Sequence, residues 1–185
     1  FLTRLKAGEW DKALGACPRI GVGHSMGGML LTEWQATDSP FEQVAFLGWT
    51  NTGLGFDTSN MPMPENLPAY MPTDRNIMRP IFHLPDVPEA LIAEDNRLAS
   101  DTPSPIAIQA MMPGIVRREA GKLTCPVLTC FGEIDISPNP LVEPVHFTAS
   151  PDITLICLAG SAHNHNFAAS RIDLWNRLAG WALNG

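Results

Sequence analysis

The sequence predicts a mixed α/β chain, a mostly parallel sheet with flanking helices, and three observations carry that expectation. Four short apolar runs have the unbroken hydrophobicity of strands buried on both faces: Ile20-Gly21-Val22, Val44-Ala45-Phe46-Leu47-Gly48-Trp49, Pro126-Val127-Leu128-Thr129-Cys130-Phe131-Gly132 and Ile153-Thr154-Leu155-Ile156-Cys157-Leu158. Helix-like runs lie between and around them. The peptide Gly23-His24-Ser25-Met26-Gly27 spells G-x-S-x-G between the first strand and an apolar helix, so a serine stands at a strand–turn–helix junction.

Each element has its own signal. Apolar residues at Leu2, Leu5, Trp10 and Leu14 suit one amphipathic helix over the first fourteen residues. Pro18 introduces the first strand, and Gly28-Met29-Leu30-Leu31-Thr32-Glu33-Trp34 reads as the first turns of a buried helix. The second strand is followed by Gly53-Leu54-Gly55-Phe56 and a long insertion, residues 51–122. Ten of the chain's 17 prolines fall there, between Pro62 and Pro113, which excludes a long continuous helix through its first half. Glu89–Glu94 and Ile106–Met112 read as short helices inside it. Six of the eight methionines (Met61, Met63, Met71, Met78, Met111 and Met112) lie in the insertion. Flexible apolar side chains suit an adaptable pocket, and equally the packing of the insertion on the core. The chain closes on an amphipathic helix with an apolar face at Leu174, Trp175, Leu178, Trp181 and Ala182.

The elbow has a physical logic. The serine backbone is expected to be strained, and side chains at Gly23 and Gly27 are expected to collide with the neighbouring strand and helix. The following helix directs its first N–H groups at the serine oxygen, where they favour an anion. Gly23-His24-Ser25-Met26-Gly27-Gly28 resembles the nucleophile elbow of the α/β-hydrolase fold, whose triad runs in the order Ser, Asp or Glu, His. The resemblance is supported downstream. Asp135 falls in Gly132-Glu133-Ile134-Asp135, at the end of the third strand and 110 residues after Ser25. His163 follows the fourth strand in Ala159-Gly160-Ser161-Ala162-His163, 28 residues after Asp135.

The resemblance implies a role for each residue. Ser25 is the nucleophile, and His163 takes its proton and later protonates the leaving group. Asp135 fixes the imidazole tautomer, and the Met26 backbone N–H supplies one oxyanion donor. Glu133 is the rival acid and is expected to face solvent; Asp57 is a fallback acid position. His165 is the alternative base. His24 reads as a packing residue, while His83 and His146 have no partner visible in sequence. The 51–122 insertion resembles the helical cap that many of these hydrolases carry.

The resemblance covers the whole chain but only the C-terminal half to two-thirds of the family's domain. The loop that carries the second oxyanion donor has no counterpart in the sequence, and the first strand is expected to stand as an exposed apolar edge. The expectation is a partial α/β-hydrolase domain over residues 1–185, lacking the fold's N-terminal strands, with the missing N-terminal half as its partner.

Composition fits a globular enzyme piece: 45% hydrophobic and 17% charged residues. The net charge of −7 argues against nucleic acid and anionic membrane surfaces, and no apolar stretch is long enough to span a bilayer. Cys17, Cys125, Cys130 and Cys157 lack C-x-x-C spacing, so no zinc site is expected. Three of them lie in or beside strands and read as small core hydrophobes of a reducing, cytoplasmic protein; the start at Phe1 leaves a leader peptide open. The reading is a serine hydrolase of a small apolar ester, thioester or lactone, with no cofactor and no metal. Acyl transfer, including the cofactor-free perhydrolase reaction, and a non-catalytic binding module of the same fold are the alternatives.

Overall fold

The computed structural model describes residues 1–55, 66–112 and 114–184. Asp57, Phe56, Met61, Met63, Pro62 and Pro113 therefore lie outside the described residues. Four parallel strands form the central sheet in the order β1 (Ile20–His24), β2 (Gln43–Leu47), β5 (Val127–Ile134), β6 (Ile153–Ala162). Helix α3 (Met26–Asp38) crosses over from β1 to β2. The segment between β2 and β5 carries a two-residue antiparallel pair, β3 (Tyr70–Met71) and β4 (Thr102–Pro103), which sequence reading did not anticipate. It also carries α4 (Arg75–Phe82), α5 (Glu89–Leu98), α6 (Ser104–Ala110) and α7 (Arg117–Ala120). Helix α8 (Arg171–Asn184) closes the chain.

Period-two alternation divides the core into two layers. Val44 and Phe46 of β2 face one side with Met29 and Leu31 of α3, Val116, Ala120 and Leu123; Ile106 and Ala110 of α6 pack against that cluster. The Phe46 ring stacks on Phe147 at 5.4 Å. Ala45 and Leu47 face the other side with Leu128, Cys130, Ile156, Leu158 and the α8 residues Leu174 and Leu178. Trp175 of α8 is 40% exposed, so the apolar stripe on α8 is narrower than its sequence suggests.

Other expectations are corrected. The first fourteen residues form two short helices, α1 (Leu2–Lys6) and α2 (Lys12–Ala16), rather than one. Gly8 adopts φ +68 and donates its N–H to the Leu5 carbonyl, which ends the first helix. Asp11 then starts the second by accepting from the Ala13 N–H at 2.8 Å. Strands β5 and β6 run past the expected Gly132 and Leu158 and stay paired as far as Ile134 and Ala162, through a register shift. Cys125 and Cys130 are buried, but Cys17 and Cys157 are exposed, so Cys157 is no core residue; all four thiols are free. Of the described insertion methionines, Met78 is buried and Met112 is 49% exposed; none joins the core clusters. No helix among the described residues is long and apolar enough to cross a membrane.

Candidate active site

The C-terminal ends of β1, β5 and β6 converge on one constellation. Ser25 follows β1 directly and has φ 52, ψ −126, a conformation a non-glycine residue adopts at a cost of about 1–3 kcal/mol. Its N–H is held by the Leu47 carbonyl at 2.8 Å, which anchors the turn to β2. A Cβ at Gly23 would stand 2.5 Å from the Gly27 carbonyl oxygen, and one at Gly28 would stand 2.5 Å from Trp49 Cβ. Gly27 meets open space, so the tight glycines of this turn are Gly23 and Gly28, not Gly23 and Gly27. Met26 begins α3, where its N–H has no partner within the helix.

His163 Nε2 lies 2.9 Å from Ser25 Oγ, and its Nδ1 lies 2.6 Å from Asp135 Oδ1. The His163 and Asp135 side chains are 2% and 1% exposed. The Asp135 carboxylate also accepts from the Gly132 N–H at 2.8 Å, the Ile136 N–H at 2.7 Å and His165 Nε2 at 3.1 Å. Burial alone would raise this carboxyl's pKa, but hydrogen bonds from His163 and His165 outweigh it and hold Asp135 well below the usual carboxylate range. An ionised carboxylate only accepts, so His163 carries its proton on Nδ1 and offers Nε2 to the serine hydroxyl. An imidazole so placed can remove a hydroxyl proton as the oxygen attacks.

The rival residues take other places. Glu133 is exposed and accepts from the Gly160 N–H at 3.0 Å. His163, not His165, is the imidazole bonded to Ser25. His24 is more than a packing residue: its Nε2 is 2.8 Å from the His163 carbonyl oxygen, and the two rings lie 4.9 Å apart. His24 ends β1 with its ring near those of His163 and His165, centroids 4.9 and 5.5 Å away. Desolvation and the nearby His163 push its pKa down to about 4, so His24 donates as a neutral imidazole. His83 is buried 3.3 Å from Asp95 Oδ2, and His146 Nε2 is 3.1 Å from Thr52 Oγ1. His146 thus has a hydrogen-bond partner far away in sequence, whereas neither ring nitrogen of His83 makes a hydrogen bond among the described residues.

Sequence reasoning missed three supports. Gly48, with φ +61, lets the chain pass under the pair: a Cβ there would come 2.8 Å from His163 Nδ1. The loop after Gly48 is held by buried Glu143, which accepts from Thr50 Oγ1 at 2.5 Å, the Asn51 N–H at 2.8 Å and Ser137 Oγ at 2.6 Å. Helix α4 ends against the histidine loop. The Ile81 and Phe82 carbonyls accept from the His163 and Asn164 N–H groups, each at 3.0 Å, and the Phe82 ring stacks on His163 at 5.7 Å. A glycine closing an apolar strand was the one sequence signal for any of these; the other two depend on tertiary contacts. Among the described residues no group of three or more His, Cys, Asp or Glu side chains is arranged to hold a metal ion.

No family model and no curated protein matches the chain. Solved structures do. A metagenome-derived lipolytic enzyme superposes with TM-score 0.64 at 16% identity, over 100% of this chain and 78% of its own. The monoacylglycerol lipase of Paleococcus ferrophilus gives 0.67 at 16%, over 92% of this chain and 70% of its own. The chain has the α/β-hydrolase fold. A bromoperoxidase from Bacillus anthracis shares that fold, with TM-score 0.62 at 19% identity over 90% of this chain and 67% of its own. Within the α/β-hydrolase architecture, the Ser25–His163–Asp135 constellation stands at the carboxyl ends of parallel strands, where open α/β sheets bind ligands.

Proposed function

We propose that this chain is a serine hydrolase that cleaves a carboxylic ester, thioester or lactone through an acyl-enzyme on Ser25. The observation that carries the reading is the continuous relay from Asp135 Oδ1 through His163 to Ser25 Oγ, at 2.6 and 2.9 Å. Oγ attacks the substrate carbonyl while His163 Nε2 accepts its proton, and the buried Asp135 carboxylate stabilises the imidazolium. The tetrahedral oxyanion takes a hydrogen bond from the Met26 N–H at the positive end of α3. His163 then protonates the departing alkoxide or thiolate. A water attacks the acyl-enzyme with His163 again as base, releasing the carboxylic acid and free Ser25.

The substrate is a small apolar acyl compound, and the described part of the 51–122 segment, whose α4 and α6 pack on the His163 loop and on the α3 core, serves as a cap beside the site. The test is intact mass after treatment with a fluorophosphonate. One adduct is expected, absent from Ser25→Ala; a well-folded chain that takes none overturns the reading. Acyl transfer to an acceptor other than water is the second reading. An acceptor competition assay on the acyl-enzyme separates the two.

A further inference from the structure

The Asp135 carboxylate carries two imidazoles. Oδ1 accepts from His163 Nδ1 at 2.6 Å and from the Ile136 N–H at 2.7 Å; Oδ2 accepts from the Gly132 N–H at 2.8 Å and from His165 Nε2 at 3.1 Å. Four donors fill the roughly four lone-pair directions a carboxylate offers. Two of the donors are fixed backbone, one belongs to the proposed base, and the fourth is the His165 side chain. That ring is 2% exposed, and its Nδ1 is buried with no hydrogen-bond partner among the described residues. The titratable groups facing it are Asp135 from the end of β5, His24 from β1, edge-on at 5.5 Å, and His163 from its own loop.

We propose that His165 is a positioning residue of the Ser25 centre: its Nε2–H, donated to Asp135 Oδ2, fixes the carboxylate plane and draws part of its negative charge away from His163. The proposal rests on the functional reading above only in calling that centre catalytic; the hydrogen-bond arrangement stands apart from it. A carboxylate that shares its charge among four donors binds each less strongly than one that serves three. Removing the fourth leaves a buried lone pair empty, frees the carboxylate to rotate, and concentrates charge on the His163 Nδ1 proton.

The experiment is long-range 1H–15N NMR of the histidine rings in the 185-residue chain. His165 is expected as the Nε2–H tautomer and His163 as the Nδ1–H tautomer; an Nδ1–H tautomer at His165 overturns the proposal without any variant. The downfield His163 Nδ1 proton is then compared in His165→Met and His165→Gln. The glutamine amide nitrogen reaches the place of Nε2, so that resonance stays near its wild-type position, while methionine moves it further downfield. An unmoved resonance in a folded His165→Met overturns the proposal. If His165→Met does not fold, a resonance displaced downfield in His165→Gln does so. Fluorophosphonate labelling is expected to slow roughly 3- to 30-fold in His165→Met and less in His165→Gln. A wild-type chain that takes no label retires the hydrolase reading instead, and the tautomer and resonance still decide the role of His165.

Discussion

At the scale of single residues, the candidate site is held by groups that could not be exchanged for near neighbours. Asp135→Asn preserves the shape of the acid but replaces one acceptor oxygen with a donor that opposes His163 or the backbone N–H groups around it. The wrong imidazole tautomer follows, and the labelling rate at Ser25 should fall on the order of 10³–10⁴-fold; a loss under tenfold would contradict the relay. His24 sets a different expectation. Its pKa is pushed from an ordinary 6.5 to about 4 in the folded chain, so between those values the unfolded chain binds more protons than the folded one. Stability is therefore full above about pH 6.5 and declines as pH falls toward 4. His24→Gln keeps a donor for the His163 carbonyl and cannot charge, so its urea midpoint should change less between pH 7.5 and pH 5.5 than that of wild type. Equal changes in the two proteins would mean that His24 charges freely when folded. That Ser25, Asp135 and His163 stand at neighbouring strand ends was legible in the sequence, because strand ends fix where the following residues stand. The roles of His24 and His165 were not legible, because each depends on the loop after β6 folding back over β1.

At the scale of elements, legibility follows the locality of the cause. Strands β1, β2, β5 and β6 and helices α3 and α8 announce themselves through apolar runs and periodicity, so their existence was readable. The extra length of β5 and β6 was not, because continued pairing to Ile134 and Ala162 depends on the partner strand. The break between α1 and α2 had a local signal in Gly8 and Asp11, overridden in the reading by hydrophobic spacing. Helix α4 is the largest surprise. Asp74 caps its start by accepting from Asn76 N and Ile77 N at 3.0 Å, and its last carbonyls clamp His163 and Asn164. Arg75 lies 5.4 Å over the Phe82 ring that in turn covers His163. A helix bonded by its backbone to the His163 loop cannot lift away without releasing His163. The amide protons of His163 and Asn164 should therefore exchange with solvent as slowly as those of the core strands β2 and β5. Exchange at the rate of exposed loops would show that α4 opens and that the clamp is one conformer among several.

At the scale of the whole molecule, the sheet has unequal flanks. β2 and β5 are paired on both sides, whereas β1, the strand that delivers Ser25, is hydrogen-bonded among the described strands to β2 alone. Its Val22 is 49% exposed, and Leu30 and Trp34 on the adjoining α3 are 46% and 44% exposed. An apolar strand with a free row of N–H and C=O groups is a template for pairing with another copy, and natural edges are blunted with charge, lysine above all. The 185-residue chain should accordingly gain mass in sedimentation as its concentration rises. Val22→Lys should move that onset to several-fold higher concentration while leaving the melting temperature within about 0.5 kcal/mol equivalent of wild type, because the side chain is half exposed and can direct its ammonium to water. The substitution reduces the magnitude of the net charge of −7, which by itself favours association. Reduced self-association in Val22→Lys therefore cannot come from general charge repulsion and has to come from the edge of β1. Identical sedimentation of the two proteins would place the sticky surface elsewhere, with the α3 face around Leu30 and Trp34 as the next to substitute.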